Sequence, residues 1–146
     1  MTQTLPPDIV LVEDDPVDAK FFQRAVRKTD EQTRVRWLSD GQAAVDALIG
    51  TAESGEPLPR VIVLDIKLPR LRGFDVLQRL RADERTKRLP VIMLSSSTQS
   101  EDIERAYDLG ANSYVSKPPT YGQLSHLVQQ MLTYWLTLNR SVGGKN

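Results

Sequence analysis

The sequence predicts an α/β fold: a doubly wound parallel sheet of five strands with five helices on its two faces. Three observations predict it. Short apolar runs alternate with longer amphipathic stretches along the whole chain, the rhythm of βα units. The strongest runs, at 9–12, 61–64 and 91–94, are continuously apolar, as strands buried on both faces must be. Each run also stops abruptly at polar residues: Glu13-Asp14-Asp15, Asp65 and Ser95-Ser96-Ser97.

The first strand (9–12) leads to Asp15, a helix cap, and Pro16, suited to a first helical position; Ala19, Phe22 and Val26 then form an apolar stripe. A weaker strand follows at 35–38, and a second helix starts near Gly41 with Ala44, Leu48 and Ala52 inward. Residues 53–59 (ESGEPLP) read as a loop by their Gly and Pro. After the third strand, a third helix follows Gly73, with Val76, Leu77 and Leu80 inward. A fourth helix spans 101–109 and stops at Gly110, a natural left-handed terminus. The fifth strand, 113–115, ends before Ser116-Lys117-Pro118. The last helix, 121–138, carries Leu124, Leu127, Val128, Met131, Leu132 and Trp135 at helical spacing. Residues 1–7 read as an N-terminal extension, 8–139 as one domain and 140–146 as a flexible tail.

Composition narrows the chemistry. Nineteen basic residues balance nineteen acidic ones, so no global field draws the chain to nucleic acid or an anionic membrane. Without cysteine, and with His126 alone, thiolate catalysis and Cys- or multi-His metal centres are excluded. No segment approaches the length of a membrane span and no basic-then-apolar leader opens the chain, so a cytoplasmic protein is expected.

Ligands of open α/β sheets bind outside the C-terminal strand ends. Those ends supply the carboxylates of Glu13, Asp14 and Asp65, the Ser95 hydroxyl and the Lys117 ammonium. Converging carboxylates repel one another unless a cation sits among them, and an all-oxygen set suits Mg²⁺. A divalent ion and a lysine around one carboxylate are also what phosphoryl transfer to that carboxylate requires, with Asp65 as nucleophile. Each piece has a plainer reading. The acidic run can simply cap a helix, Ser95 can belong to a hydroxyl-rich turn, Tyr114 to the core, and Lys117 to a solvated loop. Their shared register favours the site.

Four motifs in order carry a specific resemblance: Val12-Glu13-Asp14; Val63-Leu64-Asp65-Ile66-Lys67-Leu68-Pro69 with Gly73; Met93-Leu94-Ser95-Ser96; and Tyr114-Val115-Ser116-Lys117-Pro118. Pro69 stands four, Gly73 eight and Lys117 fifty-two residues after Asp65. Over about 8–139 the chain resembles a bacterial response-regulator receiver domain. The resemblance implies a flavodoxin-like strand order 2-1-3-4-5 and a phosphorelay function: Asp65 accepts a phosphoryl group from a sensor histidine kinase. It implies Mg²⁺ held by Asp14 and Asp65, by Glu13 through water, and by the Lys67 backbone carbonyl. It further implies Ser95 and Tyr114 as switch residues, Lys117 on the phosphate, and a cis peptide before Pro118. Signalling would then be by protein contact through helix four, strand five and helix five, with no output domain in this sequence.

Within the family, the loop before strand three, residues 106–112 (AYDLGAN) and the ending Tyr134-Trp135-Leu136 resemble small receivers partnering bacterial phytochromes and related kinases. Two positions depart from pattern: Lys67, where that group usually has Asn, and Glu13, where Asp is commoner. A histidine phosphotransfer protein is a second candidate partner. A homodimer through the last helix and C-terminal extension is a third, suggested by apolar residues flanking its main stripe. The rivals are an aspartyl-phosphate phosphatase, which generally needs an acid where Lys67 stands, and a degenerate receiver acting as a phosphorylation-independent interaction module.

Overall fold

The computed structural model describes residues 5–142. In chain order the elements are β1 (Ile9–Val12), α1 (Pro16–Thr29), β2 (Val35–Leu38), α2 (Gly41–Ser54), β3 (Val61–Leu64) and α3 (Gly73–Ala82). They continue as β4 (Val91–Ser95), α4 (Ser100–Asp108), β5 (Ser113–Ser116) and α5 (Tyr121–Leu132), followed by a π-helical segment, Thr133–Leu138. The five strands form one parallel sheet in the order β2-β1-β3-β4-β5, as expected.

Alternation within the apolar strands builds two cores. Val10, Val12, Ile62, Leu64, Val91 and Met93 face Ala44 and Leu48 of α2 and Phe74, Leu77 and Leu80 of α3. Their neighbours Ile9, Leu11, Val61, Val63, Ile92 and Leu94 face Ala19, Phe22 and Val26 of α1 and Val128, Met131 and Leu132 of α5. A side chain on either face of β1, β3 or β4 is thus removed from water, which is why those strands carry no polar residue before their ends. The polar residues that follow are held at the rim of a rigid, doubly covered sheet.

The caps behave as the sequence indicates. Asp15 accepts hydrogen bonds from the Val17 and Asp18 N–H groups, at 2.8 and 3.4 Å. Gly110 takes the left-handed conformation, φ +100°. Helix α2 runs two residues into the expected loop and stops at Gly55, φ +76°, where the backbone reverses without a Cβ penalty.

The last helix departs from its single expected run. It widens into π geometry from Thr133, and the Arg60 guanidinium, just ahead of β3, donates to the Leu136 carbonyl. Trp135 and Leu136 pack on the α1/α5 core, while Tyr134 and Leu138 stay exposed. Residues 1–4 of the expected N-terminal extension and 143–146 of the expected tail lie outside the described residues.

Gly73 is fixed by a close approach. A Cβ there would lie 2.1 Å from the Asp65 carbonyl oxygen, and the Gly73 N–H donates to the Ile66 carbonyl at 2.9 Å. The eight-residue spacing from Asp65 to Gly73 therefore records helix α3 starting directly against the backbone at the end of β3.

Candidate functional site

Glu13, Asp14 and Asp65 follow directly on β1 and β3, which are paired in register from Ile9↔Val61 to Val12↔Leu64. Adjacent parallel strands ending level with one another must deliver their next side chains to one place. The carboxylate oxygens of all three lie within 4.8 Å of one another. Glu13 and Asp65 are buried and Asp14 is exposed, so the cluster opens to solvent on one side only.

Lys117, just beyond β5, reaches across the sheet into this cluster. Its Nζ lies 2.9 Å from Asp65 Oδ2 and 2.5 Å from Glu13 Oε1. The loop holding it is tied to β4, since the Lys117 N–H donates to the Ser95 carbonyl at 2.8 Å. A third acid, Asp18, also contacts the ammonium at 3.1 Å. The sequence reading did not single out Asp18. It sits in the first turn of α1, where an acid reads as ordinary compensation of the helix dipole. Its place one turn after Asp14 on a helix leaving the site was the available signal.

The electrostatics are unbalanced. One ammonium stands among four carboxylates, two of them buried. Burial pushes the Glu13 carboxyl up to about 7, with Asp65 adding to the rise, although its hydrogen bonds from Lys117 and the Asp15 N–H work against it. Burial also works against the Lys117 charge, but hydrogen bonds and charge from Glu13 and Asp65 outweigh it, so its pKa is raised. Lys117 is therefore a fixed cation, and negative charge remains in excess around it. Asp65 is further held by the Ile66 N–H, which donates to its Oδ1 at 2.7 Å.

The remaining expected residues fall around this cluster. Ser95, at the end of β4, is buried, and its Oγ accepts from the Ser97 N–H at 3.2 Å. The Tyr114 hydroxyl donates to the Ser97 carbonyl at 2.8 Å, and Ser97 Oγ pairs with Asp102 of α4 at 2.5 Å. Ser95, Tyr114 and the start of α4 thus share one hydroxyl-rich loop. Lys67 is exposed and borders a shallow pocket with Asp14, Leu68, Pro69 and Arg72. The expected cis peptide before Pro118 is corrected: among the described residues every peptide bond is trans. Trans is the lower-energy isomer even before proline, by about 0.5–1 kcal/mol, and here the Lys117 ammonium reaches Asp65 with that peptide trans.

A parallel α/β sheet with a lysine-bridged acid cluster at its switch point defines a class of protein: receivers of a phosphoryl group on a strand-end aspartate. Residues 9–129 match the response regulator receiver domain family, and the chain belongs to that family. Among relatives, it is 39% identical over 135 residues to the probable methanogenesis regulatory protein FilR2 of Methanothrix harundinacea (92% of this chain, 87% of the relative). The phosphorylated cyanobacterial phytochrome response regulator RcpA superposes with TM-score 0.86 at 32% identity, covering 94% of this chain and 99% of that one. The receiver domain of sensor histidine kinase PA1611 of Pseudomonas aeruginosa, solved with magnesium in its active-site cleft, gives TM-score 0.69 at 30% identity (90% and 98%). The chain is thus a two-component response-regulator receiver and not a turnover enzyme. No helix among the described residues is long and apolar enough to cross a membrane.

Proposed function

We propose that Asp65 accepts the phosphoryl group, from a phosphohistidine on a sensor histidine kinase in the cytoplasm. An Asp65 carboxylate oxygen attacks phosphorus, the P–N bond breaks, and the imidazole leaves, forming an acyl phosphate. The observation that carries this reading is Lys117 Nζ at 2.9 Å from Asp65 Oδ2 inside the three-carboxylate cluster. Lys117 is placed to offset the phosphoryl oxygens as they replace the aspartate charge.

The donor set fits Mg²⁺. The ligands on offer are all hard carboxylate oxygens, and one lysine leaves the cluster short of positive charge. Asp14 and Asp65 would hold the ion directly, Glu13 through water, and the Lys67 backbone carbonyl would complete the protein ligands. When bound, the ion supplies charge neutralisation for the transferring phosphoryl group. Ser95 turns toward the phosphoryl group and Tyr114 follows, and because the Tyr114 hydroxyl rests on the Ser97 carbonyl, that turn is felt at α4 and β5. The signal leaves by protein contact through α4, β5 and α5.

The likeness to RcpA supports a phytochrome-type kinase as partner, and a histidine phosphotransfer protein is a candidate next acceptor. The exposed Tyr134 and Leu138 of the C-terminal segment supply apolar surface for a homodimer. Light scattering is expected to give a dimer mass at about tens of micromolar, the range of a moderate interface; a monomer at that concentration contradicts the interface.

Beryllofluoride, a phosphoryl mimic, tests the central reading. It is expected to bind only with Mg²⁺ present and to change the amide NMR signals of the 95–116 region. Binding without Mg²⁺, or no binding at all, contradicts it; the second result favours the degenerate-module alternative.

A further inference from the structure

The outer edge of the sheet reaches the site through one side chain. Trp37, in edge strand β2, is opposite Leu11 of β1, and its indole N–H donates to the Glu13 backbone carbonyl at 2.6 Å. The Glu13 N–H in turn donates to the Leu38 carbonyl at 3.1 Å. Both backbone polar groups of Glu13 are therefore tied to β2. Its carboxylate is tied as well, to the Asp15 N–H at 3.1 Å and to Lys117.

A peptide is planar, so holding the Glu13 carbonyl fixes the plane that joins Glu13 to Asp14. That plane sets where the Asp14 side chain departs from the backbone. Asp14 gains most from such support, being the exposed member of the cluster. Trp37 is 38% exposed, so it is a poor plug for the sheet edge. A covering role would be met equally by Phe or Leu, whereas indole carries a single donor, and here that donor is spent on the carbonyl between two acids of the site.

We propose that Trp37 is a positioning residue for the cation site: its indole N–H locks the Glu13–Asp14 peptide so that both carboxylates are presented together. This rests on the reading of Glu13, Asp14 and Asp65 as the Mg²⁺ site. Partners that orient metal ligands without touching the metal typically change affinity by 10–100-fold when removed.

Calorimetric titration with MgCl₂ of the wild-type chain and of Trp37→Phe, which keeps a ring and loses the donor, tests the proposal. Mg²⁺ is expected to bind Trp37→Phe about tenfold more weakly, and an affinity within about twofold of wild type, below the effect of one lost hydrogen bond, overturns it. A second arm leaves position 37 untouched. The chain has two tryptophans, so in Trp135→Phe all indole emission comes from Trp37. Mg²⁺ is expected to shift that emission with the dissociation constant seen by calorimetry. Emission that ignores Mg²⁺ while calorimetry reports binding overturns the positioning role and leaves the cation site standing. A wild-type chain that binds no Mg²⁺ removes the site and this inference with it.

Discussion

Asp65→Asn is expected to abolish labelling by acetyl phosphate and by a phosphorylated kinase, down to background, while the chain keeps its fold. The geometry gives both halves of that expectation. Asn keeps an oxygen for the Ile66 N–H that now donates to Oδ1, and the side chain keeps its volume at the end of β3. What it loses is the anionic oxygen that must form the bond to phosphorus, and the buried acid beside it, Glu13, is not free to substitute. Glu13 is pushed toward its neutral form by burial and is bound on both oxygens, to Lys117 and to the Asp15 N–H. Labelling by mass spectrometry and unfolding by urea are the two readings; persistent labelling of a folded variant moves the acceptor elsewhere.

Lys117→Ala is expected to be strongly destabilising for the metal-free protein. The lysine side chain is largely buried and bridges two buried carboxylates, and removing one partner from a buried ion pair costs about 3–5 kcal/mol. The loss should depend on pH. Burial already pushes the Glu13 carboxyl up to about 7, above the usual carboxylate range. Without the ammonium, the folded-state value of Glu13 rises further above its unfolded one. Stability linked to a raised carboxyl is present below the unfolded value and is lost as pH rises through the folded value. The deficit of Lys117→Ala relative to wild type should therefore widen as pH rises past about 7, between about pH 6 and about pH 9. Urea unfolding in EDTA across that range checks it, and a deficit that shrinks with rising pH contradicts the assignment. The variant is also expected to bind beryllofluoride without the change in α4 and β5; unchanged switching would defeat the role given to Lys117.

Much of this arrangement is legible in the chain because the sheet is buried on both faces. Strands buried on both faces admit polar residues only at their ends, so Glu13, Asp65 and Ser95, themselves buried, mark the rim of β1, β3 and β4. Parallel pairing then brings those ends together, and the Asp65-to-Gly73 interval is legible because a backbone contact forbids a Cβ. The features that escaped depend on side-chain reach. Asp18 joins Lys117 from the first turn of α1, where an acid reads the same whether it offsets the helix dipole or meets a distant lysine. Trp37 reads as a half-exposed edge aromatic, and its donor finds Glu13 through strand register. The π-helical turn at Thr133 has no punctuating Gly or Pro, and arises where Arg60 meets the Leu136 carbonyl. The cis peptide before Pro118 was implied by resemblance alone, and no local physics in the sequence required it.

The account depends on a covalent phosphoryl group forming at the end of β3 in the presence of a divalent cation. Peptide mapping by mass spectrometry, after acetyl phosphate treatment with MgCl₂ or with EDTA, measures that event. The expected result is one phosphoryl group, on the peptide containing Asp65, labile to hydroxylamine as an acyl phosphate must be, and absent in EDTA. A phosphoryl group on any other peptide, or equal labelling with the cation removed, contradicts the account.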